Sequence, residues 1–135
     1  MYRSKKTVSG ERQMLLSINE NDSRPIYQQL AGQVREQVSK GALTPGDILP
    51  SVRELSDSLG VNMHTVRRAY LLLRDQGIID LRPGRKARIS RRKPAPLTHD
   101  AMTGIQVRLE ELVTDALLLG ISPEDLVNMI KRQLK

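Results

Sequence analysis

Apolar positions along the chain change their period several times, and each change marks an element. Residues 1–13, "MYRSKKTVSGERQ", show no apolar period and read as a disordered basic arm. "MLLSIN" follows as a short strand or packed extended segment. After Ser23-Arg24-Pro25, Ile26, Leu30, Val34 and Val38 recur every four residues, with Tyr27 alongside. That spacing predicts an amphipathic helix, opened by Pro25 in its first turn and closed by Gly41. Thr44-Pro45-Gly46-Asp47 is a turn, because Pro presets φ and Gly accepts positive φ. Ile48-Leu49 makes a very short strand.

Two short helices come next. Ser51-Val52-Arg53-Glu54 fits a capping box and opens a helix that stops at Gly60. Asn62 caps a third helix, which ends at Gly77 and turns Val66, Ala69, Tyr70 and Leu73 inward. Ile78 to Arg82 reads as a strand, Pro83-Gly84 as a turn, and Lys86 to Ser90 as the return strand. "RRKPAP" is a basic, Pro-containing linker. Beyond it Ile105, Leu109, Leu112, Val113, Ala116 and Leu119 form one stripe on a long helix from about Ala101, ended by Gly120. Ser122-Pro123-Glu124-Asp125 starts a last helix with Leu126, Ile130 and Leu134 on its apolar face.

The expected fold is mainly α with a small β-hairpin. It has a disordered arm over 1–13, a winged helix-turn-helix over 14–90, a linker over 91–97 and a two-helix dimerisation unit over 98–135. The tail's long stripe is wider than the short helix after it can cover. Leu109, Leu112, Val113 and Ala116 are therefore expected to bury against a second chain, with Leu126, Ile130 and Leu134 closing the bundle.

Charge sharpens this division. The net +7 is unevenly spread: residues 1–96 carry 18 Lys+Arg against 9 Asp+Glu, or +9, while residues 97–135 carry 4 against 6, or −2. A basic head that binds a polyanion, joined to an acidic tail with another task, fits that asymmetry. No Cys is present, which excludes disulfides and thiol catalysis. His64 and His99 are the only histidines, so no metal site, cofactor or catalytic group is expected, and the chain is read as no enzyme. "GRKAR" is a basic turn rather than a phosphate-binding enzyme loop. No apolar run approaches the roughly 18 residues that span a membrane, and no hydrophobic signal region follows the basic start. A cytoplasmic protein is expected.

The third helix has to bury one side and present the other. His64, Arg67 and Arg68 fall together on the outer side, and Asn62, Met63 and Thr65 sit at its start. A recognition helix meets base edges and phosphates there. Arg67 suits a bidentate bond to guanine, Asn62 an adenine, and Arg68 a phosphate. In the hairpin, Arg82 to Lys93 holds seven basic residues and no acid. Gly84 lets the backbone tip approach closely, and Arg85 and Lys86 suit a minor groove or phosphate. Tyr27 and Tyr70 fall on apolar faces, so packing explains them better than base stacking.

Pro25 to Gly84 resembles the GntR family of bacterial transcription regulators. The resemblance rests on P-I-Y, G-x-L-x-P-G-x-x-L-P-S-x-R-E-L, L-G-V, T-V-R-x-A and G-I-I in that order. The two-helix tail, "LEELVTDALLLGISPEDL", resembles the YtrA subfamily, whose members lack a large effector domain. The resemblance implies a dimeric DNA-binding regulator, usually a repressor, and a transporter operon as a target. It places a DNA contact from the second helix on Arg53, contacts from the recognition helix on Asn62, Met63, His64, Thr65 and Arg67, and the wing glycine on Gly84. Two departures stand out. Many members have Arg where this chain has Met63, which suits a thymine methyl instead. The wing reads Gly84-Arg85-Lys86 where G-x-G is common.

The partners expected are duplex DNA and a second copy of the chain, without a membrane. A protein-interaction adaptor and a small-molecule sensor are the competing readings. The first predicts normal partner binding after Arg53, Arg67 and Arg85 are neutralised. The second needs a pocket, for which a 39-residue tail is too small by itself. No motif names an effector.

Overall fold

The structure, a computed structural model, describes residues 2–9, 12–91 and 96–135, with side chains from Met14 onward. The chain divides into two compact units, residues 1–93 and 94–135.

The first unit opens with a hairpin of β1 (Tyr2–Ser9) and β2 (Arg12–Asn19), paired antiparallel with Ser4 opposite Ser17. This differs from the disordered arm expected over 1–13, of which Met1, Gly10 and Glu11 lie outside the described residues. β2 alternates buried Met14, Leu16 and Ile18 and so offers a fixed backbone edge, and pairing to that edge needs main-chain groups rather than apolar side chains.

The other edge of β2 is closed by side chains. Gln29, Gln33 and Gln37 stand at every fourth position of α1 (Ile26–Ser39). Each takes one strand residue by both backbone groups. The Gln33 Oε1 accepts from Ser17 N at 2.8 Å and its Nε2 donates to Ser17 O at 2.6 Å. Gln29 does the same for Asn19, at 3.0 and 3.2 Å, and Gln37 for Leu15, at 3.4 and 2.8 Å. The match is geometric: four helical residues rise about 6.0 Å, and two strand residues span about 6.6–6.8 Å. A row of amides on the helix therefore imitates a neighbouring strand.

α2 (Val52–Leu59) and α3 (Met63–Asp75) follow. Ser51 caps α2, its hydroxyl accepting from Glu54 N at 3.0 Å. The linking turn is held by Ser56, whose hydroxyl donates to the Val61 carbonyl. The core joins β2, α1, α2 and α3 through Leu16, Leu30, Val34, Leu55, Val66 and Tyr70.

β3 (Ile79–Asp80) and β4 (Arg88–Ile89) form the wing. Both are shorter than the pattern suggests, and Lys86 lies between the turn and the return strand rather than in it. Ile48 adds a bridge to Arg88, with Leu49 N donating to Ala87 O and Ile89 N to Asp47 O, both at 2.8 Å. β4 is thus flanked on both sides.

The second unit is a helical hairpin of α4 (His99–Leu118) and α5 (Pro123–Gln133). Thr98 caps α4 by accepting from Ala101 N, and Ser122 caps α5 by accepting from Asp125 N. Of the four residues expected to bury against a second chain, Ala116 is already buried, and so is Leu126 of the three expected to close the bundle. Ala116 and Leu126 are 4% and 8% exposed. They are the buried residues of α4 and α5, the two helices that pack as the hairpin. Val113 is half-buried, whereas Leu109, Leu112, Ile130 and Leu134 stay exposed.

Candidate nucleic-acid interface

The outer face of α3 is set by what its inner face is fixed to. Val66, Ala69, Tyr70 and Leu73 are buried. Tyr70 reaches furthest: its hydroxyl donates to Pro50 O at 2.6 Å, joining the middle of α3 to the residue before the α2 cap. Burial, with the nearby Glu54 carboxylate adding to it, pushes the Tyr70 phenol well above its ordinary range. A neutral phenol is therefore the bonded form. Neither this tie nor the Ser56 bond to Val61 was visible in the residue pattern. Both join partners brought together only by the folded turn.

Asn62, Met63, His64, Arg67 and Arg68 are all exposed at the start of α3, and Thr65 is half-buried. Asn62 has a task already, since its Oδ1 accepts from His64 N at 2.7 Å. Capping engages its acceptor, while the amide NH2 of this exposed side chain is a donor that the cap does not use. Met63 is 41% exposed, an apolar contact offered at a helix start. Arg68 is not a loose cation: its guanidinium lies 3.9 Å from the ring centroid of Tyr27 on α1. Stacking uses the flat face of the guanidinium and keeps its N–H edge for an anion. Arg53 is exposed on the first turn of α2.

At the wing tip, Arg82 O accepts from Arg85 N at 3.2 Å, closing a four-residue turn. Pro83 is second and Gly84 third, at φ 73°, as a type II turn requires. Among the described residues beyond its chain neighbours, nothing would crowd a Cβ at Gly84, so its backbone conformation is what demands glycine. Arg82, Arg85 and Lys86 are exposed around this tip. The basic run divides beyond it. Arg88 donates to Gly46 O at 3.4 Å, and the Arg91 guanidinium lies over Gly46, where any Cβ would collide with it. Arg92 and Lys93 lie outside the described residues.

Between α3 and the wing runs a groove of about 710 Å³, with Arg67 on one wall and Arg85 and Lys86 on the other. The structure thus brings Arg67 and the wing cations to one concavity, while Arg68 belongs to the α1 side of α3. Among the described residues no three His, Asp or Glu converge as a metal site. No described helix is long and apolar enough to cross a membrane.

Comparison with known proteins follows the same lines. The gntR family of bacterial regulatory proteins matches residues 26–89. The chain is 39% identical over 117 residues to the HTH-type transcriptional repressor YtrA of Bacillus subtilis, covering 87% of this chain and 90% of that one. Among solved structures it is similar to a transcriptional antiterminator from Listeria monocytogenes, with a TM-score of 0.78 and 29% identity over 87% of this chain and 88% of that one. It is similar also to YtrA from Sulfolobus acidocaldarius, a GntR-family transcription factor, with a TM-score of 0.57 and 38% identity over 70% and 95% of the two chains.

Proposed function

Since the chain belongs to the gntR family of bacterial regulatory proteins, and is a DNA-binding transcriptional regulator rather than an enzyme, we propose that it is a homodimeric cytoplasmic repressor that blocks a promoter by occupying a palindromic operator. The observation that carries the dimer is the apolar face of the tail. Leu109 and Leu112 are 48% and 54% exposed on α4, and Ile105 and Leu119 extend the same stripe. A single α4–α5 contact through Ala116 and Leu126 leaves that face uncovered, and a second copy supplies the matching surface. The name of the Bacillus subtilis relative supports repression. A transporter operon, implied by the resemblance to YtrA-type regulators, is part of the same proposal.

In the proposed complex the start of α3 lies in the major groove. Arg67 reads guanine, Met63 meets a thymine methyl, and Asn62 donates through its free amide. Arg53, His64, Thr65 and Arg68 contact the surrounding edges and phosphates. The Gly84–Lys86 tip follows the backbone or the adjoining minor groove. Truncation after Pro96 tests the tail. The expected result is a monomeric head by sedimentation, with operator affinity lost far more than non-specific affinity. A truncated head that stays dimeric, or binds the full operator as tightly as the whole chain, removes the tail assignment.

A further inference from the structure

The groove between α3 and the wing has a lining that DNA binding alone does not require. Its floor is apolar, made by Leu49, Val52, Leu71 and Leu81. Five cations and one carboxylate, Glu54, line it as well. One of the five, Arg74, is already bonded to Asp75 at 3.0 Å. That leaves Arg67, Arg82, Arg85 and Lys86 around an oily trough. A phosphodiester backbone uses the cations and has nothing to place against Leu71 and Leu81. The volume of about 710 Å³ lies inside the roughly 300–1,000 Å³ range of small-molecule sites.

We propose that this groove is the effector site of the protein, taking an amphipathic organic phosphate whose apolar body lies on the Leu71–Leu81 floor and whose head is held by Arg67 and the wing cations. Phosphate suits the rim better than carboxylate. A monoester carries about −1.5 to −2 charges at neutral pH, and guanidinium groups bind its oxygens in pairs. The inference rests on the DNA-binding reading above and adds regulation to it. Ligand and operator would need the same Arg67, Arg85 and Lys86, so binding of one excludes the other. Induction then needs no separate effector domain: the apolar floor supplies affinity for the ligand, and the shared cations supply the coupling.

The test uses the full chain and decyl phosphate below its micelle concentration. Leucine methyl resonances are followed without DNA, and release of a selected operator duplex is measured separately. The expected result is saturable shifts at Leu71 and Leu81, with operator release over the same concentrations. Decanoate should bind more weakly, and inorganic phosphate and decyltrimethylammonium at least tenfold more weakly. Leu71→Gln should lower decyl phosphate affinity tenfold or more while operator affinity stays within threefold. Methyl shifts confined to Leu109 and Leu112 of the tail would overturn the site, as would inorganic phosphate binding as well as decyl phosphate. Binding at the groove without loss of operator overturns the competition. A chain that selects no DNA motif would sink the DNA-binding reading, whereas the methyl titration still reports on the groove by itself.

Discussion

Arg67 and Arg68 are neighbours with different surroundings. One helical residue turns the chain by about 100°, which carries Arg67 to the wing-side groove and Arg68 onto the Tyr27 ring. Among the described residues Arg67 has no stacking partner of that kind, and it lines the groove where α3 and the wing converge. On the proposed reading, Arg67→Ala costs about 1–3 kcal/mol at one base position and relaxes choice there. Arg85→Ala, at the wing tip, lowers affinity evenly across sequences. A binding matrix over all single-base variants of the operator separates the two, and uniform losses for Arg67→Ala would remove its base-reading role. The spacing in the sequence grouped His64, Arg67 and Arg68 as one outer face. It could not divide them, because Tyr27 stands some forty positions earlier and meets Arg68 only after α1 packs on α3.

At the scale of elements, α3 is held from outside itself. The Tyr70 hydroxyl bonded to Pro50 O ties the middle of α3 to the start of α2. The phenol's pKa is raised in the folded head, from 10.0 in its ordinary state. An acid with a raised folded value is bound as the neutral form, so its contribution is complete below pH 10 and falls as pH climbs above it. Denaturant melts at rising pH should therefore show stability dropping above about pH 10. Tyr70→Phe should flatten that drop and, at neutral pH, cost about 1–3 kcal/mol through the unsatisfied Pro50 carbonyl. Identical alkaline slopes for the two proteins would refute the assignment. The glutamine row of α1 belongs to this scale too. Its four-residue spacing was legible beside Ile26, Leu30, Val34 and Val38, yet amides on a helix face ordinarily meet solvent. Only the antiparallel course of β2 alongside α1 gives them strand backbone to bind.

For the whole molecule, charge sets the behaviour, and on the proposed reading two-fold symmetry does so too. The head carries +9 by sequence, with cations exposed along α3 and the wing tip. If about six phosphates are neutralised per complex, log affinity falls against log salt with a slope near −5. A titration from low to moderate salt reads it, and a flat line would count decisively against the interface. A two-fold pair of heads places its recognition helices in successive major grooves, so selected sites should contain inverted half-sites about 10 base pairs apart, centre to centre. Selection from a random duplex pool that returns single, unpaired half-sites would contradict the dimer.

The sequence by itself determined the order of helices, the capped starts at Ser51, Asn62 and Ser122, the Pro83-Gly84 turn, the basic head and the apolar tail. These depend on near neighbours: a cap needs a residue two or three positions on, a turn needs its own φ angles, and an amphipathic face needs only its period. Tertiary structure alone decided the rest. It gave β2 a partner in β1, where no apolar rhythm announced a strand, buried Ala116 in the tail hairpin, set Arg68 on Tyr27, and formed one groove from α3 and the wing. Each of these depends on groups distant along the chain, or on main-chain edges whose availability no side-chain pattern records. Local sequence limits which faces exist, and packing then decides what each face meets.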